Sequence, residues 1–130
     1  MARFKASIAR LRARVQLFIC CQVPSRYRTG VHFPHPVGIV IGDGARIGRG
    51  VRIYQNVTIG LIENTVGAGP DDYPTLEDDV CVYAGAAIVG SIRIGTRSVI
   101  GANAVITRDV PEDSIAFGYN QVKPRNRPTG

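Results

Sequence analysis

The chain has two histidines, His32 and His35. An imidazole, with a pKa near ~6.5, is the side chain best suited to take a proton from a hydroxyl group near neutral pH. His35 stands between Pro34 and Pro36, and no motif points to His32. His35 also falls where a six-residue aliphatic spacing slips by two, between Phe33 and Ile41, so that its side chain can face a cleft. We therefore expect His35 to be a general base; the alternative is that it only packs against the two prolines.

The three cysteines are Cys20, Cys21 and Cys81, an odd number with two of them adjacent. This arrangement does not make a disulfide framework and favours a reduced, cytoplasmic chain. A cysteine nucleophile at Cys20 or Cys81 is an alternative to the histidine, but a buried structural cysteine is the commoner case. The apolar run from Val15 to Cys21 is too short for a membrane span and lacks a signal-peptide cleavage site, so export is not expected.

An aliphatic residue recurs every six positions through most of the chain. Neither a helix, with a period of about 3.6, nor a simple strand, with a period of about 2, explains this spacing. It is typical of a chain that makes a short flat strand, turns and repeats, so that three sides close a triangular coil and coils stack about 4.8 Å apart. The residues that start each hexad, and those four positions later, are expected to point inward. The starts are Ile41, Ile47, Ile53, Ile59, Leu76, Val82, Ile88, Ile94, Ile100 and Ile106, and the second positions are Ala45, Val51, Val57, Val80, Ala86, Ile92, Ser98, Ala104 and Val110.

These hexads resemble those of the hexapeptide-repeat acetyltransferases, over roughly Cys21 to Pro111. The stretch from His35 to Gly60 is similar to the serine acetyltransferase branch and, more closely, to the short acetyltransferases of exopolysaccharide gene clusters. Residues 74–86 and 101–111 match the later coils of the same enzymes. The resemblance implies an all-β fold, a left-handed parallel β-helix with a short N-terminal α-helix and one extruded loop.

Three segments follow from the repeat and its interruptions. Residues 1–20 are predicted to form an amphipathic helix, residues 21–111 a β-helix of about five coils with a loop over 60–75, and residues 112–130 a loosely packed basic tail. The helix has an apolar stripe from Phe4 to Phe18 and five basic residues. We expect this stripe either to cover the end of the first coil or to make peripheral contact with the inner face of a membrane.

The resemblance implies that an acetyl group passes directly from acetyl-CoA to a hydroxyl group, with His35 as the general base. Serine acetyltransferases orient this histidine with an aspartate from the preceding coil. Here the matching position is Cys20, with Gln22 nearby, so the carboxylate is missing. Either a backbone carbonyl or a carboxylate such as Asp43 would have to orient the imidazole instead.

The acceptor side departs from the serine branch. Those enzymes carry an aspartate directly before the histidine and an Arg-His pair before the proline that resumes the coils, where this chain has Pro34 and Asp72-Tyr73. Because the charges that would bind serine are missing, we expect the acceptor to be a hydroxyl of a sugar or polysaccharide precursor. Asp72 and Tyr73 are expected to line its cleft, with Tyr54 and Tyr83 as further lining residues. The alternatives are a serine O-acetyltransferase of cysteine biosynthesis and a non-catalytic β-helix scaffold.

The same resemblance implies where acetyl-CoA lies. The small residues Ala84 and Ala102 are expected to border the groove of the pantetheine arm. Thr107 and Arg108 match a Thr-Lys pair that contacts CoA in sugar acetyltransferases of this fold. Lys123 and Arg125, in the basic tail, are expected to contact the phosphates.

A homotrimer is expected, since members of this fold build the cofactor groove between neighbouring prisms. The net charge of +6 suits a phosphate-bearing co-substrate. No metal is expected, because two histidines cannot supply the three-histidine zinc site of the carbonic anhydrases that share the prism. No nucleic-acid partner is expected either, because the basic residues cluster at the two chain ends without interleaved aromatic residues.

Overall fold

The computed structural model describes residues 1–27, 30–63 and 66–126. Helix α1 (Ala2–Cys20) is followed by a winding of short strands, with 3-10 turns at Ser25–Tyr27 and Pro70–Asp72. The strands are β1 (Val40–Ile41), β2 (Arg46–Ile47), β3 (Arg52–Ile53), β4 (Thr58–Gly60), β5 (Thr75–Leu76), β6 (Cys81–Val82), β7 (Ala87–Val89), β8 (Arg93–Ile94), β9 (Val99–Ile100), β10 (Val105–Ile106), β11 (Ser114–Phe117) and β12 (Gln121–Pro124).

The strands form three flat sheets, which are the faces of a prism. The first face contains β1, β4, β7 and β10, the second contains β2, β5 and β8, and the third contains β3, β6, β9 and β11. Successive strands on a face pair in parallel, as Val40 does with Thr58 and Ile41 with Ile59. Each coil therefore adds one layer to all three faces. The fold is the stacked triangular coil that the six-residue period predicted, and the left-handed parallel β-helix that the resemblance implied.

A less regular first coil precedes β1. It joins the first face through Gln22, which pairs with Val40, and the third face through His32, which pairs with Arg52. At the second face Tyr27 takes the place of a strand, because its hydroxyl donates a hydrogen bond of 2.6 Å to the carbonyl of Ala45. With the four coils that follow, this makes five, in agreement with the prediction.

The predicted inward residues fill the core. All nine second positions are buried, and so are nine of the ten hexad starts. The exception is Ile47, which is half-buried and packs against the core beside Tyr27. Ser98 is the polar member of the stack, and its hydroxyl donates to the carbonyl of Pro111 at 2.6 Å and accepts from the N–H of Ser114 at 3.2 Å. Each large aliphatic side chain buried in this way contributes roughly 1.5–3 kcal/mol.

The coils continue past Pro111, where a loose tail was expected to begin. Strand β11 pairs in parallel with β9 and extends the third face, and β12 folds back antiparallel on β11. The inward residues of β11 are Ser114 and Ala116, both buried. Because one is small and the other polar, they do not continue the aliphatic pattern of the earlier coils. The hairpin pairs with strand edges that would otherwise be exposed at this end of the prism.

Two segments lie outside the regular coils. The chain leaves the prism after Gly60 and rejoins it at Thr75, between the first and second faces. At the N-terminus, every side chain of α1 that the structure describes is exposed. The side chains of Phe4 and Phe18, the ends of the predicted stripe, lie outside the described ones. No helix in the described residues is both long and apolar enough to cross a bilayer.

Candidate active site

His35 begins a line of residues along one corner of the prism. The chain turns from the third face to the first at His35 in the first coil, Gln55 in the second, Ala84 in the third and Ala102 in the fourth. We call this corner the histidine edge. Since coils stack about 4.8 Å apart, His35 and Ala102 are separated by roughly 14 Å along the prism. The structure therefore brings together three of the residues predicted to act with acetyl-CoA.

The histidine edge is tight because its corner residues adopt left-handed backbone conformations. Gly38 has a φ of 64° and Gly85 a φ of 73°, and Asn56 and Asn103 occupy the same place in the intervening coils with φ of 58° and 57°. A Cβ atom on either glycine would collide with the side-chain oxygen of the asparagine stacked on it. Glycine is needed where the backbone approaches so closely.

The backbone around His35 is well defined, and its side chain is exposed. The carbonyl of His35 accepts a hydrogen bond from the N–H of Val37 at 2.8 Å, and the N–H of Gly38 donates to the carbonyl of Cys20 at 3.0 Å. Among the described residues, no carboxylate forms a hydrogen bond or an ion pair with the imidazole. Asp43 follows β1 on the far side of the first face, where Arg26 donates to its carbonyl. Within one chain, Asp43 is therefore not placed to orient His35.

Aromatic rings continue from His35 along the same edge. The imidazole and the ring of Tyr54 have centroids 6.1 Å apart at an angle of 42°, and Tyr54 stacks on Tyr83 at 5.0 Å and 25°. The neighbouring Cys81, through its charge and then its hydrogen bond, raises the pKa of Tyr83 above 10.0. The Tyr83 hydroxyl, which makes this hydrogen bond with Cys81, therefore stays protonated at neutral pH.

Gln55 has an unpaired acceptor on this edge. Its side-chain oxygen Oε1 is buried and has no hydrogen-bond partner among the described residues. Buried polar atoms are paired in most native structures, so an orphan acceptor next to a candidate catalytic group suggests a ligand donor. The sequence analysis assigned Gln55 no role, because the burial of one side-chain atom leaves no trace in residue spacing.

His32 has a different environment from His35. It pairs with the third face through its backbone, since its N–H donates to the carbonyl of Val51 and its carbonyl accepts from the N–H of Ile53, both at 3.0 Å. Its exposed side chain lies on the outside of that face, before the corner. His32 is therefore a strand residue, and His35 is the histidine at the edge.

The corner between the first and second faces has a different construction. We call it the loop edge, because residues 61–74 leave the prism there. The Tyr73 ring packs so closely on Gly42 and Gly44 that a Cβ on either would collide with it. Asp72 is exposed, and its carboxylate accepts a hydrogen bond from the N–H of Gly69 at 2.8 Å. Asp72 and Tyr73 thus lie across the first face from His35.

Thr107 and Arg108 also belong to the loop edge, directly after β10. The N–H of Thr107 donates to the Asn120 side chain, which in turn donates to the Thr107 hydroxyl, both at 2.7 Å. Arg108 is exposed. One face, with a width on the order of 15 Å, therefore separates these two predicted CoA residues from His35.

The two basic tail residues lie at different places. The amine of Lys123, on β12, is 5.5 Å from the centre of the Phe117 ring, at the end of the histidine edge. Arg125 lies at the corner between the second and third faces, where its guanidinium donates to the carbonyl of Arg97 at 2.8 Å. Only Lys123 is therefore near the line of His35, Ala84 and Ala102.

A large open groove lies on the first face next to the loop edge. It has a volume of about 890 Å³ and is lined by residues of the first coils and of the loop, among them Val40, Thr58, Leu61, Ile62 and Tyr73. His35 does not line it. No group of three His, Cys, Asp or Glu side chains within the described ranges could hold a metal ion. In the described residues, the histidine edge therefore carries the exposed imidazole of His35 with small and aromatic neighbours, and the loop edge borders an open groove.

Known proteins are similar to this chain both in the repeat region and over most of its length. The family model for bacterial transferase hexapeptide (six repeats) matches residues 73–108. The serine acetyltransferase of Bacillus licheniformis is 34% identical over 121 residues, which are 91% of this chain and 51% of that protein. This chain therefore spans about half the length of that relative.

Solved structures agree. Soybean serine acetyltransferase complexed with serine superposes with a TM-score of 0.66 at 37% identity, over 72% of this chain and 38% of that chain. A serine acetyltransferase in complex with CoA gives a TM-score of 0.62 at 36% identity, over 72% and 37% of the two chains. With the stacked hexads and the shared prism, these similarities show that the chain carries the hexapeptide repeat of the bacterial transferases and is similar to the serine acetyltransferases over most of its length.

Proposed function

We propose that this protein is an O-acetyltransferase that moves the acetyl group of acetyl-CoA to a hydroxyl group, with His35 as the general base. The observation that carries the proposal is the exposed His35 on an edge that continues into Ala84 and Ala102. The imidazole accepts the hydroxyl proton while the oxygen attacks the thioester carbonyl. The tetrahedral intermediate then expels the CoA thiolate, which takes up the proton.

The histidine edge suits an extended thioester. Ala84 is half-buried and Ala102 exposed, so neither side chain obstructs a ligand that runs along the coils. The Gln55 oxygen could accept a hydrogen bond from an amide N–H of such an arm. Lys123 and Arg108 are exposed cations at the end of the prism opposite His35, where the phosphates of the nucleotide would lie.

Serine is the acceptor that the similar proteins favour. The relative and the two structures described above are serine acetyltransferases, and one was solved with serine. This supports the serine alternative of the sequence analysis over the sugar acceptor that the substituted residues favoured.

A sugar hydroxyl is the second acceptor to test, because specific residues favour it. Pro34 and Asp72-Tyr73 replace the charged residues expected in a serine site, and His35 takes part in no ion pair within the described residues. The stacked Tyr54 and Tyr83 rings offer an apolar platform of the kind against which sugar rings pack. Neither feature suits an amino acid carrying both a carboxylate and an ammonium group.

We also propose a homotrimer in which His35 of one chain meets the loop edge of the next. The outward side chains of the first face include Val40, Thr58, Ala87 and Val105, and the two valines are exposed in the single chain. This apolar strip suits contact with a neighbouring prism. Light scattering should give three copies, and Val105→Lys should dissociate them, whereas Val122→Lys on β12 should not.

The activity is tested by incubating the protein with acetyl-CoA and a panel of serine, nucleotide sugars and oligosaccharides, and following CoA release. We expect release with one acceptor class, which His35→Ala abolishes and His32→Ala does not. If no acceptor releases CoA and CoA does not bind, the scaffold alternative stands and the proposal is wrong.

A further inference from the structure

The net positive charge of the chain comes from one end of the molecule. Residues 1–42 contain seven Lys and Arg and no Asp or Glu, whereas residues 43–130 contain nine Lys and Arg and all ten Asp and Glu. The net charge of +6 therefore arises entirely from α1 and the first coil. Since α1 runs directly into that coil, the described cations among them share one end of the prism.

The described cations of α1 have no acidic partners, whereas three arginines of the coils do. In the coils Arg46 pairs with Asp71 at 2.9 Å, Arg93 with Glu77 at 3.0 Å and Arg97 with Asp113 at 2.7 Å. None of the α1 side chains that the structure describes takes part in an ion pair, and the four described cations are exposed: Arg3, Lys5, Arg10 and Arg12. Their charge is available to an external anion.

The same helix exposes large apolar side chains. Leu11 is 62% exposed, Val15 48% and Ile8 37%, and their spacing of three and four residues places them on one side of the helix. Ile8 lines a groove of about 520 Å³ between α1 and residues Phe33 and Pro34 of the first coil. Leu11 and Val15 lie outside that groove and are the more exposed. The coil end therefore does not cover this part of the stripe.

We propose that α1 is an interfacial anchor that lies in the plane of an anionic membrane. Leu11 and Val15 insert below the headgroups while the flanking cations contact lipid phosphates. A second copy of the chain fits this surface less well, because it would bring an equally cationic helix against it. A nucleic acid would use the charge but would leave the apolar side chains in water. His35, in the first coil, lies at the end of the prism that would face the bilayer.

The test is co-sedimentation of the full chain with vesicles. We expect binding to vesicles in which about a third of the lipid is phosphatidylglycerol and none to pure phosphatidylcholine, with binding lost as salt rises. Arg12→Gln should weaken the partition coefficient about fivefold, because each cation near the surface contributes about 1 kcal/mol. Arg49→Gln, at an exposed arginine of the coils, is the matched control and should change it little.

The apolar contribution is tested by Leu11→Gln with Val15→Gln, which keeps every charge. We expect a loss of at least about tenfold in vesicle binding, with an unchanged thermal unfolding midpoint. Val122→Gln, whose side chain is 43% exposed on β12, is the matched control and should bind vesicles like the wild type.

A lower unfolding midpoint with no vesicle binding by the wild type would overturn the proposal and favour a helix that caps the coil. Binding to a soluble oligonucleotide as strong as to vesicles, and unaffected by the double variant, would overturn it in favour of a nucleic-acid surface.

Discussion

The two edges of the first face differ in construction. The histidine edge is regular, with a left-handed corner residue in successive coils and a continuous line from His35 to Ala102. The loop edge is interrupted by residues 61–74 and bordered by a groove of about 890 Å³, with Tyr73 packed on two glycines. A regular edge can hold an extended ligand at a fixed height, whereas an extruded loop can reach a neighbouring molecule.

The comparison also shows what one chain lacks. His35, Ala84 and Ala102 lie on the histidine edge, but Asp72, Tyr73, Thr107 and Arg108, which were expected to work with them, lie across the first face. A general base must come within hydrogen-bond distance of the proton that it removes. A face on the order of 15 Å wide separates the two groups within a single prism, which is the reason for proposing that a second chain completes the site.

The largest effect should come from the histidine edge. We expect His35→Ala to lower the turnover number by about 10²- to 10⁴-fold, because a general base contributes that much. His32→Ala is the matched control and should retain turnover within about twofold, since His32 joins the fold through its backbone. Steady-state CoA release measures both. Full turnover by His35→Ala would show that the histidine edge does not supply the general base, which would contradict this assignment.

The next effect should come from the loop edge and should alter binding instead of chemistry. Arg108→Ala should raise the KM for acetyl-CoA by about 10- to 100-fold with little change in kcat, because it removes a charge-assisted contact made equally in the ground state and the transition state. Arg49→Ala, at an exposed arginine on the second-face side, should leave both constants unchanged. A fall in kcat with an unchanged KM would place Arg108 in the chemical step and contradict this assignment.

A smaller effect should distinguish ligand binding from packing at Gln55. Gln55→Leu removes a buried acceptor that has no partner in the described chain, so the free energy of unfolding should not fall. If the acceptor serves a ligand amide, kcat/KM for acetyl-CoA should drop about fivefold. Gln121→Leu, on the exposed hairpin, is the control. Thermal unfolding and steady-state kinetics decide the matter, and a destabilised protein with normal kcat/KM would show that Gln55 is structural.

Most of the fold could be predicted because the prism has a short period and a simple inward rule. A six-residue spacing with aliphatic starts allows little besides a triangular coil, and the buried stack from Ile41 to Ile106 follows it. The rule did not predict the last coil, because Ser114 and Ala116 take its inward positions and neither is a large aliphatic residue. It did not predict the role of Tyr27 either, because Tyr27 occupies a strand position through a side-chain hydrogen bond.

The site was less predictable than the fold. His35 could be chosen from its residue type and its resemblance to the histidine of the serine branch, and Ala84 and Ala102 from the same resemblance. Assignment to an edge was harder, because it depends on which corner of the coil a residue occupies, and this separates Thr107 from Ala102 although they are five positions apart. Among the described residues of a single chain, the missing carboxylate partner of His35 also has no replacement, since Asp43 lies on the loop edge.

The central claim is that His35 of one chain works with the loop edge of another, and subunit mixing tests it most directly. His35→Ala and Arg108→Ala chains would be unfolded together, refolded in equal amounts and assayed at acetyl-CoA concentrations below the KM. Random trimers should place an intact His35 beside an intact Arg108 at about a quarter of the interfaces, and should recover about that fraction of wild-type activity. Activity no higher than half of that shown by Arg108→Ala alone would mean that each site lies within one chain and would contradict the account.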